Sequence, residues 1–295
     1  MSESYITPIS SPPLTSSEIR QRVFDGDILS FSPPSMQVLL SHVKGVLRET
    51  FECDSPPHAY QQYNHEEFLK RAETAQKIVN GEACKKLFGA TLSELGMPPQ
   101  DLFWDTLGLR ISPPVQNEED MKKRGFRSHV GVHRDTWGAG FQSQVNWWCP
   151  LYPLSAKRTM GFYPSYWHRP LSNSTADWSF KEFLKSRKEA KPGHAAKYPS
   201  APAALAQPDE PAVPFMMKVG SLACFSSAHL HGSITNSSSL TRFSLELRTL
   251  HLNDLENNLG APNVDNKSQQ LLVGLYSAVE NGRPLKEFWT PNHAA

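Results

Sequence analysis

The stretch from Ser128 to Asp135 reads Ser-His-Val-Gly-Val-His-Arg-Asp. Taken as a strand over Val130 to Asp135, it alternates its side chains between two faces, so His133 and Asp135 point the same way. An imidazole and a carboxylate placed like that can share one cation. A second stretch, Ala228 to Arg248, supplies two further histidines, His229 and His231, and two arginines, Arg242 and Arg248. The two stretches together predict one metal site, and a catalytic one.

Composition frames that site. The chain has 295 residues, 30 basic and 29 acidic, for a formal net charge of +1. No block of one sign stands out, so charge points neither to nucleic acid nor to a membrane surface. The length suits a single sheet-based domain. The N-terminus lacks the basic-then-apolar pattern of a signal peptide, and no apolar run reaches the length of a membrane helix. Four widely spaced cysteines form no paired metal motif and read as reduced residues of an intracellular, cytoplasmic protein. Frequent proline (24 residues) and seven tryptophans point to a loop-rich, aromatic-lined enzyme rather than a helical bundle.

Working outward, residues 1–34 are rich in Ser and Pro and are expected to wrap the surface or stay partly disordered. Residues 35–295 are expected to form one domain. Its first part, 35–100, is helical: Met36, Leu39, Leu40, Val43, Val46 and Leu47 follow helical spacing behind Ser35. Asn64 and Glu67 resemble a capping box ahead of Phe68, Ala72, Ala75 and Val79. A β core is expected over 101–252, with a charged loop at 116–127. Strands are read at Leu102 to Ile111, Gln142 to Trp148, Met160 to Tyr163, His229 to Ile234 and Arg242 to Leu252. Residues 170–214 form an insertion. It carries a lysine-rich helix over Trp178 to Ala190, then a stretch with six prolines that reads as a lid. A closing helix is expected within 265–282. This order predicts an α+β chain, mainly β in its core, built on an antiparallel sandwich or barrel.

Two histidines and one carboxylate on one face of an octahedral metal leave three open positions, which suits non-heme Fe(II) used with O2. His133 and Asp135 are the near pair. The distant histidine is His229 or His231, which share a face in a regular strand.

The set then resembles a known family. His133-Arg134-Asp135, followed about a hundred residues later by His231-Gly232-Ser233 and eleven residues on by Arg242, resembles the Fe(II)/2-oxoglutarate dioxygenases, most closely the phytanoyl-CoA dioxygenase superfamily. Trp147, Trp148 and Pro150, then Thr159 to Pro164, resemble the family's aromatic strand and turn. The likeness covers roughly residues 100–252. It implies a double-stranded β-helix, or cupin-like jelly roll, with flanking helices. It also implies His231 rather than His229 as the distal ligand of Fe(II), and Arg242 with Ser244 as the grip on the far carboxylate of 2-oxoglutarate. Gln144 or Asn146 would meet the other carboxylate, and Trp148 would form a wall. The implied reaction consumes O2, decarboxylates 2-oxoglutarate to succinate and CO2, and oxidises a small molecule, normally by hydroxylation. Halogenation is disfavoured because halogenating relatives lack the carboxylate that Asp135 supplies. Relatives act on acyl-CoA thioesters or on free small molecules of secondary metabolism. The near-neutral charge fits a free metabolite better, amino-acid-like or otherwise carboxylate-bearing, with its carboxylate on Arg248.

Plainer roles are weighed beside these. His129 reads as packed or supporting. His229 reads as supporting or substrate-facing. Arg134 is expected in a surface salt bridge. The alternatives for Arg248 are an ion pair with a carboxylate such as Glu246 and the place of Arg242 as anchor. Trp137, Phe141, Trp147, Tyr163, Tyr166 and Trp167 read as core, and the lysines near 181–191 as a solvated face. The competing functions are a jelly-roll metal enzyme that does not use 2-oxoglutarate and a non-catalytic jelly-roll binding protein.

Overall fold

The computed structural model describes residues 6–9, 14–115, 130–190 and 196–291. The expectations for His129 and for the charged loop 116–127 lie outside the described residues.

Four helices come first: α1 (Ser16–Phe24), α2 (Ser35–Phe51), α3 (His65–Val79) and α4 (Glu82–Glu94). The α2 spacing holds, and Met36, Leu39, Leu40, Val43, Val46, Leu47 and Phe51 are all buried. Asn64 caps α3, accepting from the Glu67 amide at 2.9 Å. The N-terminal segment departs from expectation. Thr15 and Glu18 form a capping box that starts α1, which buries Ile19, Val23 and Phe24. An average rich in Ser and Pro hid a capped turn with apolar residues at helical spacing.

The described strands are β1 (Thr7–Pro8), β2 (Leu29–Phe31), β3 (Leu102–Trp104), β4 (Gly108–Ser112), β5 (Val145–Pro150), β6 (Met160–Phe162), β7 (Val213–Pro214), β8 (Leu222–Ser226), β9 (His231–Ser233), β10 (Arg242–His251) and β11 (Ser277–Ala278). They form two sheets. The larger runs β1-β2-β8-β5-β10-β3-β11, with β4 also pairing β10. All its pairs are antiparallel except β1–β2. The smaller runs β7-β6-β9 and is antiparallel. The chain is thus a mixed α and β protein with two sheets.

β10 decides where the site lies. Phe243, Leu245 and Leu247 join Leu109, Ile111, Val145, Trp147, Cys149, Leu222 and Cys224 in one core with α1–α4. Alternation sends Arg242, Ser244, Glu246 and Arg248 to the opposite face. That face is not left to water: Arg242 is 5% exposed and Ser244 fully buried. It looks toward the smaller sheet across a cavity lined from both sides, by Asn146, Trp148, Arg242, Glu246 and Arg248 and by Met160, His231 and Ser233.

Three further expectations are corrected. Val130 to Asp135 is no regular strand: His133 alone bridges to His231, and Asp135 opens the short helix α5 (Asp135–Ala139). The Leu102 to Ile111 run divides into β3 and β4, with Asp105 between them spending its carboxylate on the Arg248 amide. The closing helix over 265–282 is absent; those residues hold the short 3₁₀ turn Val273–Leu275 and β11. Asp265, Asn266 and Gln270 there bond distant groups, which competes with local helix formation. Tyr276, Ala278 and Leu285 pack instead on Phe103, Phe141 and Leu250. The lysine-rich helix of the insertion is α6 (Phe180–Glu189), and no residue of it is buried. No helix among the described residues is long and apolar enough to cross a membrane.

Candidate metal centre

His133, Asp135 and His231 converge, with their candidate ligand atoms all within 4.8 Å of one another. His133 ends an irregular approach, Asp135 is the first residue of α5 and His231 the first of β9. Reciprocal backbone bonds join the histidines: the His133 amide donates to the His231 carbonyl at 2.8 Å, and the reverse bond is 2.9 Å. His133 Nε2 lies 3.6 Å from Asp135 Oδ1, and His231 Nε2 lies 3.7 Å from Oδ2.

Each imidazole is held by a carbonyl two residues earlier. His133 Nδ1 meets the Gly131 carbonyl at 2.8 Å, and His231 Nδ1 meets the His229 carbonyl at 3.0 Å. A carbonyl only accepts, so Nδ1 carries the proton and Nε2 keeps its lone pair for a cation. This separates the two candidate histidines. His231 offers its Nε2 to the cluster, and His229 contributes its backbone carbonyl. The His229 ring is buried against Trp167, with ring centres 4.5 Å apart, and against Phe162 at 5.6 Å. Neither cavity described here includes it in its lining. Burial pushes His231 down to about 4, with His133 adding to the effect and Asp135 opposing it. Burial opposes the charge of Asp135, yet Arg248, His133 and His231 hold its carboxyl well below the usual range. At neutral pH His231 is therefore a neutral imidazole and Asp135 a carboxylate, and with His133 they make up the two-imidazole, one-carboxylate donor set that a divalent transition metal accepts.

The carboxylate is fixed on both oxygens. Asn146 Nδ2 donates to Oδ2 at 2.5 Å, and Arg248 Nη2 donates to Oδ1 at 3.2 Å. Arg248 also donates from Nη1 to Asp105 at 3.0 Å. Burial works against that cation, but Asp135, Asp105 and Glu246 raise its pKa well above the guanidinium norm. So Arg248, read as a substrate anchor or a Glu246 partner, grips the metal-site carboxylate. Arg110 takes Glu246, at 2.6 Å. Gln144 and Asn146, read as co-substrate contacts, are turned toward the protein: Gln144 Nε2 donates to Asn146 Oδ1 at 3.1 Å and also to Ser227. Arg134, expected at the surface, is 2% exposed and pairs with Asp265 at 3.1 Å. The sequence reading missed Asp105 altogether. Its one local signal was a carboxylate interrupting an apolar run.

Arg242 differs from its neighbours. It lines the same cavity as the triad, and its Nε and Nη1 are buried without a hydrogen-bond partner among the described residues. Burial, then the nearby Arg110, pushes its pKa down to about 10. Two residues on, Ser244 is fully buried and its Oγ also lacks a partner among the described residues. Trp148 lines the cavity and packs on Phe215, with ring centres 5.5 Å apart. A second chamber of about 340 Å³ also reaches His133 and Asp135. Arg110, Arg248, Val130 and Gly131 wall it, and Ser200, Ala201, Pro202 and Ala203 of the insertion close it opposite.

No family model matches the sequence, and no curated protein matches it. Among solved structures the chain is similar to the non-heme α-ketoglutarate-dependent carbocyclase SnoK from nogalamycin biosynthesis (12% identity, 91% of this chain and 98% of that one, TM-score 0.42). It is similar also to the non-heme monooxygenase ThoJ in its apo form (16% identity, 79% of this chain and 77% of that one, TM-score 0.41). A third likeness is to EvdMO1 (17% identity, 59% of this chain, TM-score 0.32), of which the chain spans about a third, 32%. Similarity at this level decides nothing about chemistry, which follows from the site alone.

Proposed function

We propose that the chain is a non-heme Fe(II)/2-oxoglutarate-dependent oxygenase that oxidises a small-molecule metabolite, with hydroxylation as the simplest outcome. The observation that carries this is Arg242: a buried guanidinium with two nitrogens that have no partner among the described residues, in the cavity that also holds a His-Asp-His set. Glu246 attracts this guanidinium but is hydrogen-bonded by Arg110, and a buried cation whose donors stay unpaired is costly. A dianion that reaches both Arg242 and the metal removes that cost, and 2-oxoglutarate is such a molecule. A metal enzyme without this co-substrate leaves Arg242 unexplained.

His133, Asp135 and His231 would hold Fe(II), which supplies O2 activation coupled to oxidation of 2-oxoglutarate to succinate and CO2. The chain's own groups do the rest. Arg242 binds the far carboxylate through its two-pronged donor geometry, with Ser244 beside it. Trp148, Met160 and Phe225 keep water from that side of the cavity. Asn146 and Arg248 keep Asp135 charged and oriented. The substrate enters the chamber capped by Ser200 to Ala203, which gives the insertion 170–214 its role as a lid. A substrate carboxylate on Arg248 would have to displace Asp105 or Asp135, so the chamber favours recognition by shape. We further infer that the two sheets close as a jelly roll within one domain over 35–295, and that the protein works in the cytoplasm, where its four free cysteines stay reduced.

The test is an anaerobic titration of metal-free protein with Fe(II) and then 2-oxoglutarate, following the weak visible charge-transfer band of the chelated co-substrate. A band that is lost in His231→Ala and Arg242→Ala is expected. Tight Fe(II) binding with no band would overturn the 2-oxoglutarate assignment in favour of a metal enzyme without it.

A further inference from the structure

The backbone around Asp135 is tied on both sides to one distant segment. Arg134 Nε donates to both oxygens of Asp265 at 3.1 Å, and Trp137 Nε1 donates to Asp265 Oδ1 at 2.6 Å. Asn266 Nδ2 donates to the Thr136 carbonyl at 2.7 Å. The residues before, after and two after the metal-site carboxylate are thus held by Asp265 and Asn266. Asp265 also accepts from the Leu171 amide at 2.9 Å, which joins the start of the insertion to the same clamp.

The carboxylate itself is reached by a second route. The Tyr276 hydroxyl donates to Gln144 Oε1 at 2.5 Å. That sets the direction of the Gln144 amide, whose Nε2 donates to Asn146 Oδ1 and to Ser227 Oγ. Ser227 Oγ donates to Asn146 Oδ1 at 2.8 Å. With its oxygen so occupied, Asn146 presents Nδ2 to Asp135. Each amide has two faces, one donor and one acceptor, so each link dictates the next. Without a donor at the far end Gln144 is free to turn over. Asn146 can then follow and offer Asp135 an oxygen instead of an N–H. Tyr276 is 2% exposed.

We propose that the segment from Asp265 to Tyr276 is the positioning device of the metal site: it supplies no ligand, but it sets the place of Asp135 through its backbone and the orientation of its carboxylate through the Tyr276–Gln144–Asn146 chain. Tyr276 is a positioning residue that acts through two others. This rests on the metal-site reading above and adds to it the residues that decide the geometry.

Co(II) is the probe, titrated into chelator-treated full-length protein, with affinity and the visible d–d band as readouts. Tyr276→Phe keeps the ring that packs on Phe141 at 5.5 Å and removes only the hydroxyl. It is expected to weaken Co(II) binding about tenfold and to shift the band. Phe288→Ala, which loses packing on Phe103 at 5.2 Å in the same cluster, is expected to lower the melting temperature while keeping the parental affinity and band. Parental affinity and band in Tyr276→Phe overturn the inference, as does a loss of affinity in both variants in step with melting temperature. If Tyr276→Phe does not fold, Asn266→Ala serves: severalfold weaker Co(II) supports the inference, and parental affinity overturns it. A parent protein that binds no Co(II) overturns the metal-site reading as well, whereas parental binding with an unaffected variant overturns this inference alone.

Discussion

Arg242 and Arg248 are six residues apart on one face of one strand, and their surroundings give them opposite roles. Arg248 has carboxylates on both Nη atoms, Asp105 at 3.0 Å and Asp135 at 3.2 Å. Arg242 has two buried nitrogens with no partner among the described residues. Replacing Arg242 by Met should therefore stabilise the ligand-free protein, by on the order of 1 kcal/mol, since an unpaired buried charge is exchanged for an apolar side chain. The same variant should bind 2-oxoglutarate about a hundredfold more weakly, with metal affinity unchanged. Urea midpoints and calorimetric titration with Mn(II) in place check both halves. Equal losses of metal and 2-oxoglutarate would instead mark Arg242 as structural. Arg248→Ala should act on the metal, weakening it about tenfold, because it loosens Asp135. Unchanged metal affinity with impaired substrate binding would restore the substrate-carboxylate role for Arg248. Asp135→Ala should abolish metal binding in the same titration.

At the scale of elements, the turn that carries Asp135 is held by its neighbours more than by its own propensity. α5 has five residues, too few to be stable alone. It ends at Gly140, where φ is +86° and an added Cβ would collide with the Gln270 carbonyl. Gly140→Ala thus combines a left-handed backbone with a clash against backbone. It should cost about 2 kcal/mol or more in urea denaturation, and it should also weaken Co(II) because it pushes the 265–276 segment off α5. A Gly140→Ala protein with parental stability would show that this packing is looser than described. β10 shows the other way an element serves the site. Its alternation is that of a half-buried strand, but its polar face is enclosed between two sheets, where each charge must find a partner or a ligand.

The whole molecule encloses two histidines that water would leave partly protonated. Burial lowers His229 from 6.5 to about 3 and His231 from 6.5 to about 4. Unfolding returns both toward 6.5, so the unfolded chain binds more protons throughout the interval between. The stability of metal-free protein should therefore be complete above pH 6.5 and fall as pH drops toward 4, approaching about 1.4 kcal/mol per pH unit for each histidine. Urea midpoints between pH 7.5 and pH 5 measure this. A flat profile would mean that the two rings reach solvent in the folded state. Saturating Co(II) should keep the His231 part and extend it below pH 4, because a bound metal holds the proton off His231 in the folded chain while the unfolded chain still takes it up.

By itself the sequence determined the helical character of residues 35–100, the alternation of β10 and the ordered spacing of His133, Asp135, His231 and Arg242. These are legible because each rests on local spacing or on a short motif. It misjudged residues 15–34, where composition masked a cap and an amphipathic turn, and 265–282, where a closing helix was expected and long-range bonds from Asp265, Asn266 and Gln270 take its place. Only the tertiary structure decided that His229 lends a carbonyl, that Gln144 and Asn146 serve Asp135, and that Arg248 is already taken while Arg242 keeps two nitrogens without a partner among the described residues. The physical reason is the same in each case. A polar side chain in a buried site is defined by the one group it meets, and those groups stand far away in sequence: Arg248 lies 113 residues from Asp135, and Tyr276 lies 132 from Gln144. Local periodicity shows which face such a side chain takes; the partner waiting on that face is set only when the sheets close over it.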